Sequence, residues 1–151
     1  MDGLVSKKET LIKLQHLEGI KCFACSPSNP VGLKMDFYAD ETFVSSWLTL
    51  ADHFCSWDKY AHGGIVATVL DEIMSWAAVY FKKKFVFTKS INVNYLKPVF
   101  TDTEIRAEGR VLECLSERKV VMEGCVYNSN DELCAKSTGE YVLIDSFTGK
   151  T

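Results

Sequence analysis

From residue 65 to residue 81 the chain runs IVATVLDEIMSWAAVYF, apolar on nearly every side of a helix, with Asp71 and Glu72 in its middle. The pattern predicts one long helix over about 63–82, and a helix of that kind is normally wrapped by other structure. Lys82, Lys83 and Lys84 follow at its end, where positive charge suits the helix dipole. The flanking segments alternate with the period of strands. Two precede the helix, over 33–38 and 42–50, with Phe43 and Trp47 on one face and Val44, Leu48 and Leu50 on the other. Four follow it, over 90–96, 104–111, 119–127 and 133–144; the last two are joined by Asn128-Ser129-Asn130-Asp131, a strong turn signal. At the N-terminus Leu4, Leu11, Leu14 and Leu17 recur at near-helical spacing and predict a short helix over about 4–18, ending at Gly19. The segment CFACSPSNPVGL then reads as an ordered series of turns. Strands joined by short turns pair antiparallel, and a helix apolar all round must lie against the sheet that curls over it. The expected class is α+β.

Composition narrows this picture. The 151 residues fit one domain over 1–151, and 47% hydrophobic with 25% charged residues is the balance of a soluble globular chain. A net charge of −3 argues against nucleic acid as a partner. Asp71 and Glu72 inside the apolar run argue against a membrane span. The N-terminal segment is amphipathic without an apolar leader, and of the six cysteines, Cys22, Cys25, Cys55, Cys114, Cys125 and Cys134, the last four show no framework-like spacing. Reduced thiols and a cytoplasmic location are expected.

The helix start carries the candidate chemistry: His62-Gly63-Gly64, then six residues to Asp71. The first N–H groups of a helix have no internal partner and carry the positive end of the dipole. Two glycines let a ligand oxygen approach them, which is what an oxyanion hole requires. Asp71 follows Gly64 by seven residues, close to two turns, and so lies on the same face, with its side chain leaning back toward the helix start. Glu72 is rotated by about 100° and is expected to face elsewhere. Spacing therefore favours Asp71 over Glu72 as the functional acid, against the plainer reading of a solvated or ion-paired Asp.

HGGIVATVLDEIMSWA resembles the signature of the hotdog thioesterases of the phenylacetate-pathway and 4-hydroxybenzoyl-CoA type. CFACSPSNPVGLKMDFY resembles an opening segment of many members, and TKSINVNYLKPV resembles their strand that ends in a polar or basic residue before Pro-Val. The likeness runs over about 22–139. It implies a hotdog fold, a curved antiparallel sheet around one long central helix, paired as a homodimer or a dimer of dimers with the active site between protomers. It implies hydrolysis of an acyl-CoA thioester without cofactor or metal. Gly63 or Gly64 would polarise the carbonyl through its N–H. Asp71, supplied by the other protomer, would act as nucleophile or general base. His62 would orient the entrance, and Thr88 falls where relatives carry a Ser or Thr that bonds the carboxylate or its water. Ser56 stands six residues before the His, where relatives have Asn or Gln, so that contact is shortened here. Pairing has a physical basis too, since a sheet continued across a two-fold axis covers its open edges.

Among the remaining signals, Lys89, Lys97, Arg106 and Arg110 could meet the phosphates of CoA, or simply form the polar sides of strands. Asn94, on one face with Asn92 and Ser90, is a candidate substrate contact or a solvated face. Phe81, Phe85 and Phe87 suit either an acyl tunnel or a core. Cys22-x-x-Cys25 has no second ligand pair in sequence, so zinc is not expected. His16 and His53 are isolated and receive no role. Two other functions suit the same fold. A hotdog dehydratase or hydratase would release no free thiol, and a non-catalytic acyl-CoA-binding module would bind without turnover.

Overall fold

The structure, a computed structural model, describes residues 8–146. Seven strands and one long helix follow one another: β1 (Ile12–Lys13), β2 (Tyr38–Ala39), β3 (Val44–Thr49), a 3-10 turn at Asp52–Phe54, α1 (Gly63–Lys82), β4 (Phe85–Tyr95), β5 (Glu104–Cys114), β6 (Lys119–Tyr127) and β7 (Leu133–Ile144). All strands join one antiparallel sheet in the order β1-β2-β3-β5-β6-β7-β4. The helix packs on the strands from β3 to β7. Register shifts at Thr88/Ser90, Val111/Glu113 and Val126/Tyr127 mark bulges, which bend strands and help the sheet curve around the helix. This is the hotdog arrangement that the resemblance implied.

The helix buries one face into the sheet, through Val66, Val69, Leu70, Ile73, Met74, Ala77 and Ala78. Those positions recur at three- and four-residue spacing, so the sheet takes one stripe of α1 rather than its whole circumference. By length and composition α1 would also pass for a membrane span, but in this fold its most apolar stripe lies on β-structure. Part of the opposite face is covered by the chain before β3. Phe37 stacks on Trp76 with ring centroids 4.5 Å apart, and His16 meets the same indole edge-on. The helix stops at Lys83, which adopts a left-handed conformation and donates its N–H to the Val79 carbonyl.

Two glycines set the distance between helix and sheet. Gly109 of β5 and Gly124 of β6 are directly paired across the ladder, both facing α1. A methyl group on Gly109 would lie 2.5 Å from the Ile73 carbonyl oxygen, so the helix backbone rests on bare β5 backbone.

The N-terminal expectation is corrected. Residues 1–7 lie outside the described residues, and the helix expected over about 4–18 does not run through the part that is described. Only residues 8–9 are helical, and Ile12 and Lys13 pair with Ala39 and Tyr38 as an edge strand. Leu14 then donates its N–H to the Phe37 carbonyl. An open sheet edge offers backbone partners that leucine periodicity does not reveal. The strand expected over 33–38 also shifts: residues 33–37 form no ladder, with Lys34 in a left-handed conformation at φ 54°, and only Tyr38–Ala39 joins the sheet.

Candidate active site

His62 precedes the first turn of α1 in an extended conformation, and its Nδ1 accepts the N–H of Gly64 at 2.9 Å. This is side-chain capping by an imidazole, and it leaves Nε2 to carry the ring proton. The N–H groups of Ile65 and Val66 turn back to the His62 carbonyl. Of the two glycines, Gly64 is therefore already committed, and Gly63 is the one whose N–H has no partner among the described residues. Tyr95, at the end of β4, roofs this entrance: its hydroxyl donates to the Gly63 carbonyl at 2.6 Å.

Asp71 is held through a single oxygen. Thr88 Oγ1 and the Tyr141 hydroxyl both donate to Oδ1, each at 2.8 Å. No described residue bonds Oδ2, which leaves that oxygen available for chemistry. Tyr141 is fully buried. Burial, and then the Asp71 carboxylate beside it, push its hydroxyl far above the ordinary tyrosine range, so it remains a donor at any working pH. Sequence reading missed Tyr141. In the strand segment GEYVLI it looks like an ordinary core aromatic, and only the fold sets its hydroxyl under α1.

Asp71 and Thr88 open onto a cavity of about 410 Å³ with mainly apolar walls, among them Leu17, Ile20, Trp76, Val79, Phe85 and Phe87. Phe85 and Phe87 thus line it, whereas Phe81 lies against a separate surface pocket with Tyr80. Glu72 also lines the cavity, which corrects the expectation that it faces elsewhere. Its Oε1 accepts the Trp76 indole N–H at 3.1 Å, one turn along, and the Cys22 thiol at 3.4 Å. The cavity covers more than one helical stripe, so two adjacent carboxylates both reach it. Like Asp71, Glu72 is held through one oxygen, in its case Oε1, by an indole and a thiol in place of two hydroxyls.

The entrance and Asp71 do not share a cavity in one chain. Gly63 and Gly64 border two other pockets, one under Tyr95 and one beside His53 and Phe54. Two helical turns separate the groups by about 10 Å along the axis. Of the remaining candidates, Ser56 turns its hydroxyl to the Tyr60 carbonyl at 3.3 Å and does not line the Asp71 cavity. Lys89 faces Glu140 at 3.5 Å, Lys97 is paired with Glu132, and Asn94 donates to Asn92. Arg106 is tied to Glu108 and Asp131, and Arg110 to Glu123. These charges are balanced within the chain.

Comparison with known proteins agrees with this geometry. The thioesterase superfamily matches residues 58–135, from just before the helix into β7. A Saccharolobus solfataricus protein whose name is that of a candidate esterase is 32% identical over 91 residues, 60% of this chain. The matched region spans 59% of that relative's length. Among solved structures, a Streptococcus mutans protein bound to acetyl CoA superposes with a TM-score of 0.72 at 21% identity, covering 87% of this chain and 98% of the other. An Escherichia coli protein from the phenylacetic acid degradation operon does so with 0.69 at 18% identity, covering 76% and 82%. By the family match and the arrangement of helix and sheet together, the chain belongs to the thioesterase superfamily.

Proposed function

We propose that the protein is an acyl-CoA thioesterase whose active site is completed by a second copy of the chain. The observation that carries the reading is Asp71, clamped through Oδ1 by Thr88 and Tyr141 with Oδ2 left over, at the mouth of an apolar cavity. Hydrolysis of a thioester needs an acid group to attack or to activate water, a donor for the developing oxyanion, and a place for the acyl group. Asp71 Oδ2 supplies the first, as nucleophile or as general base. The N–H of Gly63 at the positive end of α1 supplies the second. The cavity walled by Trp76, Val79 and Phe87 takes the acyl chain. The relative that binds acetyl CoA supports a CoA ester as the substrate class.

Strand β4 accounts for the two halves lying apart. It is the last strand of the sheet, no described strand pairs with its outer edge from Phe87 onward, and Phe87, Ile91 and Tyr95 are exposed on it. Thr88 near its start touches Asp71, and Tyr95 at its end touches Gly63. An antiparallel pairing of two β4 edges about an axis at Asn92, with the bulged Lys89 skipped, sets Thr88 of one copy opposite Tyr95 of the other. Each Asp71 is then brought toward the other copy's Gly63, and the open edge is covered.

The test is release of free CoA thiol from short, medium, long and aromatic acyl-CoAs. Wild type should turn over, Asp71→Asn should lose about a thousandfold or more, and Glu72→Gln should retain activity. Binding without thiol release would leave a sensor or a dehydratase, and a dead Glu72→Gln with an active Asp71→Asn would move the chemistry to the neighbouring acid. Tyr141→Phe keeps the ring but removes one donor to a carboxylate, an interaction of about 1.5–3 kcal/mol. The expected result is a fall in kcat of about tenfold or more with KM little changed, read by steady-state kinetics.

A further inference from the structure

A second constellation lies in the same cavity wall. Cys22 and Cys25 look like half a metal site in sequence, and the fold brings a third ligand to them from α1. One thiol sulfur from each cysteine and one carboxylate oxygen of Glu72 all lie within 4.8 Å of one another, and all three residues are partly buried. We propose that Cys22, Cys25 and Glu72 form a site for a thiolate-preferring divalent cation, zinc by its ligand chemistry, which ties the segment before β2 to α1.

The turn that carries the thiols is already fixed. Ser26 donates its N–H to the Cys22 carbonyl, and Leu33 and Met35 donate theirs to the carbonyls of Phe23 and Ala24, the two residues between the cysteines. Gly32 allows this closeness, since a methyl group there would fall 2.2 Å from the Phe23 carbonyl oxygen. On the other side the Trp76 indole orients Glu72. A metal ligand held by an outer hydrogen bond in this way is a recurrent feature of metal sites. The Cys22 thiol donates to Glu72 Oε1 at 3.4 Å, so a thiol proton stands where a cation would stand. Ligand atoms of a tetrahedral zinc lie about 3.3–3.8 Å apart, given bonds of about 2.0–2.3 Å, so the set needs a contraction of at most about 1.5 Å. Two sulfurs and a carboxylate suit zinc better than magnesium or calcium, which prefer all-oxygen shells. Three protein ligands leave a fourth position for water. On binding, two Zn–S bonds and one Zn–O bond form, and two thiol protons pass to solvent, so affinity should rise with pH.

The experiment titrates reduced full-length protein with Co²⁺ as a coloured stand-in and then with Zn²⁺. One equivalent of Co²⁺ should give a thiolate-to-metal charge-transfer band, and zinc should displace it. Cys22→Ser and Cys25→Ser should each abolish the band, while Cys55→Ser and Cys114→Ser, at exposed thiols, should leave it. Glu72→Gln should weaken zinc binding about tenfold or more. In wild type, zinc should slow alkylation of Cys22 and Cys25 but not of Cys55 and Cys114, a readout by peptide mass that needs no variant to fold. Absence of the band from fully reduced wild type, its survival in the Cys22→Ser/Cys25→Ser double variant, or equal alkylation with and without zinc would each overturn the site. None of these readouts depends on thioesterase activity.

Discussion

An equal mixture of two inactive variants, Asp71→Asn and Gly63→Pro, allowed to pair at random, should recover about a quarter of wild-type thioester hydrolysis. Gly63 is the first residue of α1, a position where proline fits a helix because its missing N–H has no helical partner. His62 before it is extended, at φ −61° and ψ 134°, which proline also tolerates. The substitution therefore removes one N–H donor and little else, and loss of one such donor typically costs about a hundred- to a thousandfold in kcat. Each variant alone carries the same defect in both sites of its homodimer. A mixed dimer pairs the intact Gly63 of one chain with the intact Asp71 of the other, and collects both defects in its second site. Random pairing makes about half the dimers mixed, each with one working site of two. Co-expression with two affinity tags and sequential purification isolates the mixed species, which should show about half of wild-type activity. If mixing restores nothing although the mixed dimer is recovered, Asp71 and Gly63 act within one chain and the β4 pairing is wrong.

Gly109→Ala should destabilise the fold by about 3 kcal/mol. The added methyl would lie 2.5 Å from the Ile73 carbonyl oxygen, 2.9 Å from its carbon and 3.3 Å from the Ala77 side chain. Two of those three atoms are helix backbone and cannot rotate away, so α1 must lift from β5. Gly109 does not need a left-handed conformation, and the penalty is steric. Its cross-strand partner Gly124 is the control. A methyl group there meets Met74 Cγ and Ser137 Oγ at 3.0 Å, both side-chain atoms with some freedom to move. Gly124→Ala should cost about 1 kcal/mol. For a chain of this size the difference corresponds to a Tm about 4–8 °C lower for Gly109→Ala than for Gly124→Ala, measurable by calorimetry. Ile73 lies two residues beyond Asp71, so lifting the helix should also disturb the carboxylate, and Gly109→Ala should lose activity below its new Tm. Equal stability of the two variants would mean that the helix does not rest on β5 backbone.

The apolar run over 65–81 specified a long helix because no other element keeps so many apolar residues buried, and α1 spans Gly63–Lys82. Alternation specified β6 and β7 to the residue, since each buries one face and a slip by one would invert it. Alternation underestimated β4, which begins at Phe85: the segment Phe85-Val86-Phe87 is apolar without alternation, as a strand at an interface or along a cavity can be. It failed at β1, where two residues pair with β2 and leucine spacing suggested a helix. Short edge strands are held by backbone partners far away in sequence and leave no periodic trace.

The same division holds in the site. Local spacing along one helix was enough to expect Gly64 and Asp71 on one face, because helical geometry is fixed over two turns. That Gly64 is committed to His62, that Tyr141 reaches Asp71 from 70 residues away, and that Glu72 meets Cys22 from 50 residues away were decided by the tertiary structure alone. Sequence by itself determined the helix and most of the strands, since each follows from local periodicity. Only the curling of the sheet over α1 decided which groups hold Asp71, because contacts between β7, the Cys22 turn and the helix depend on how the strands pair and not on any spacing along the chain.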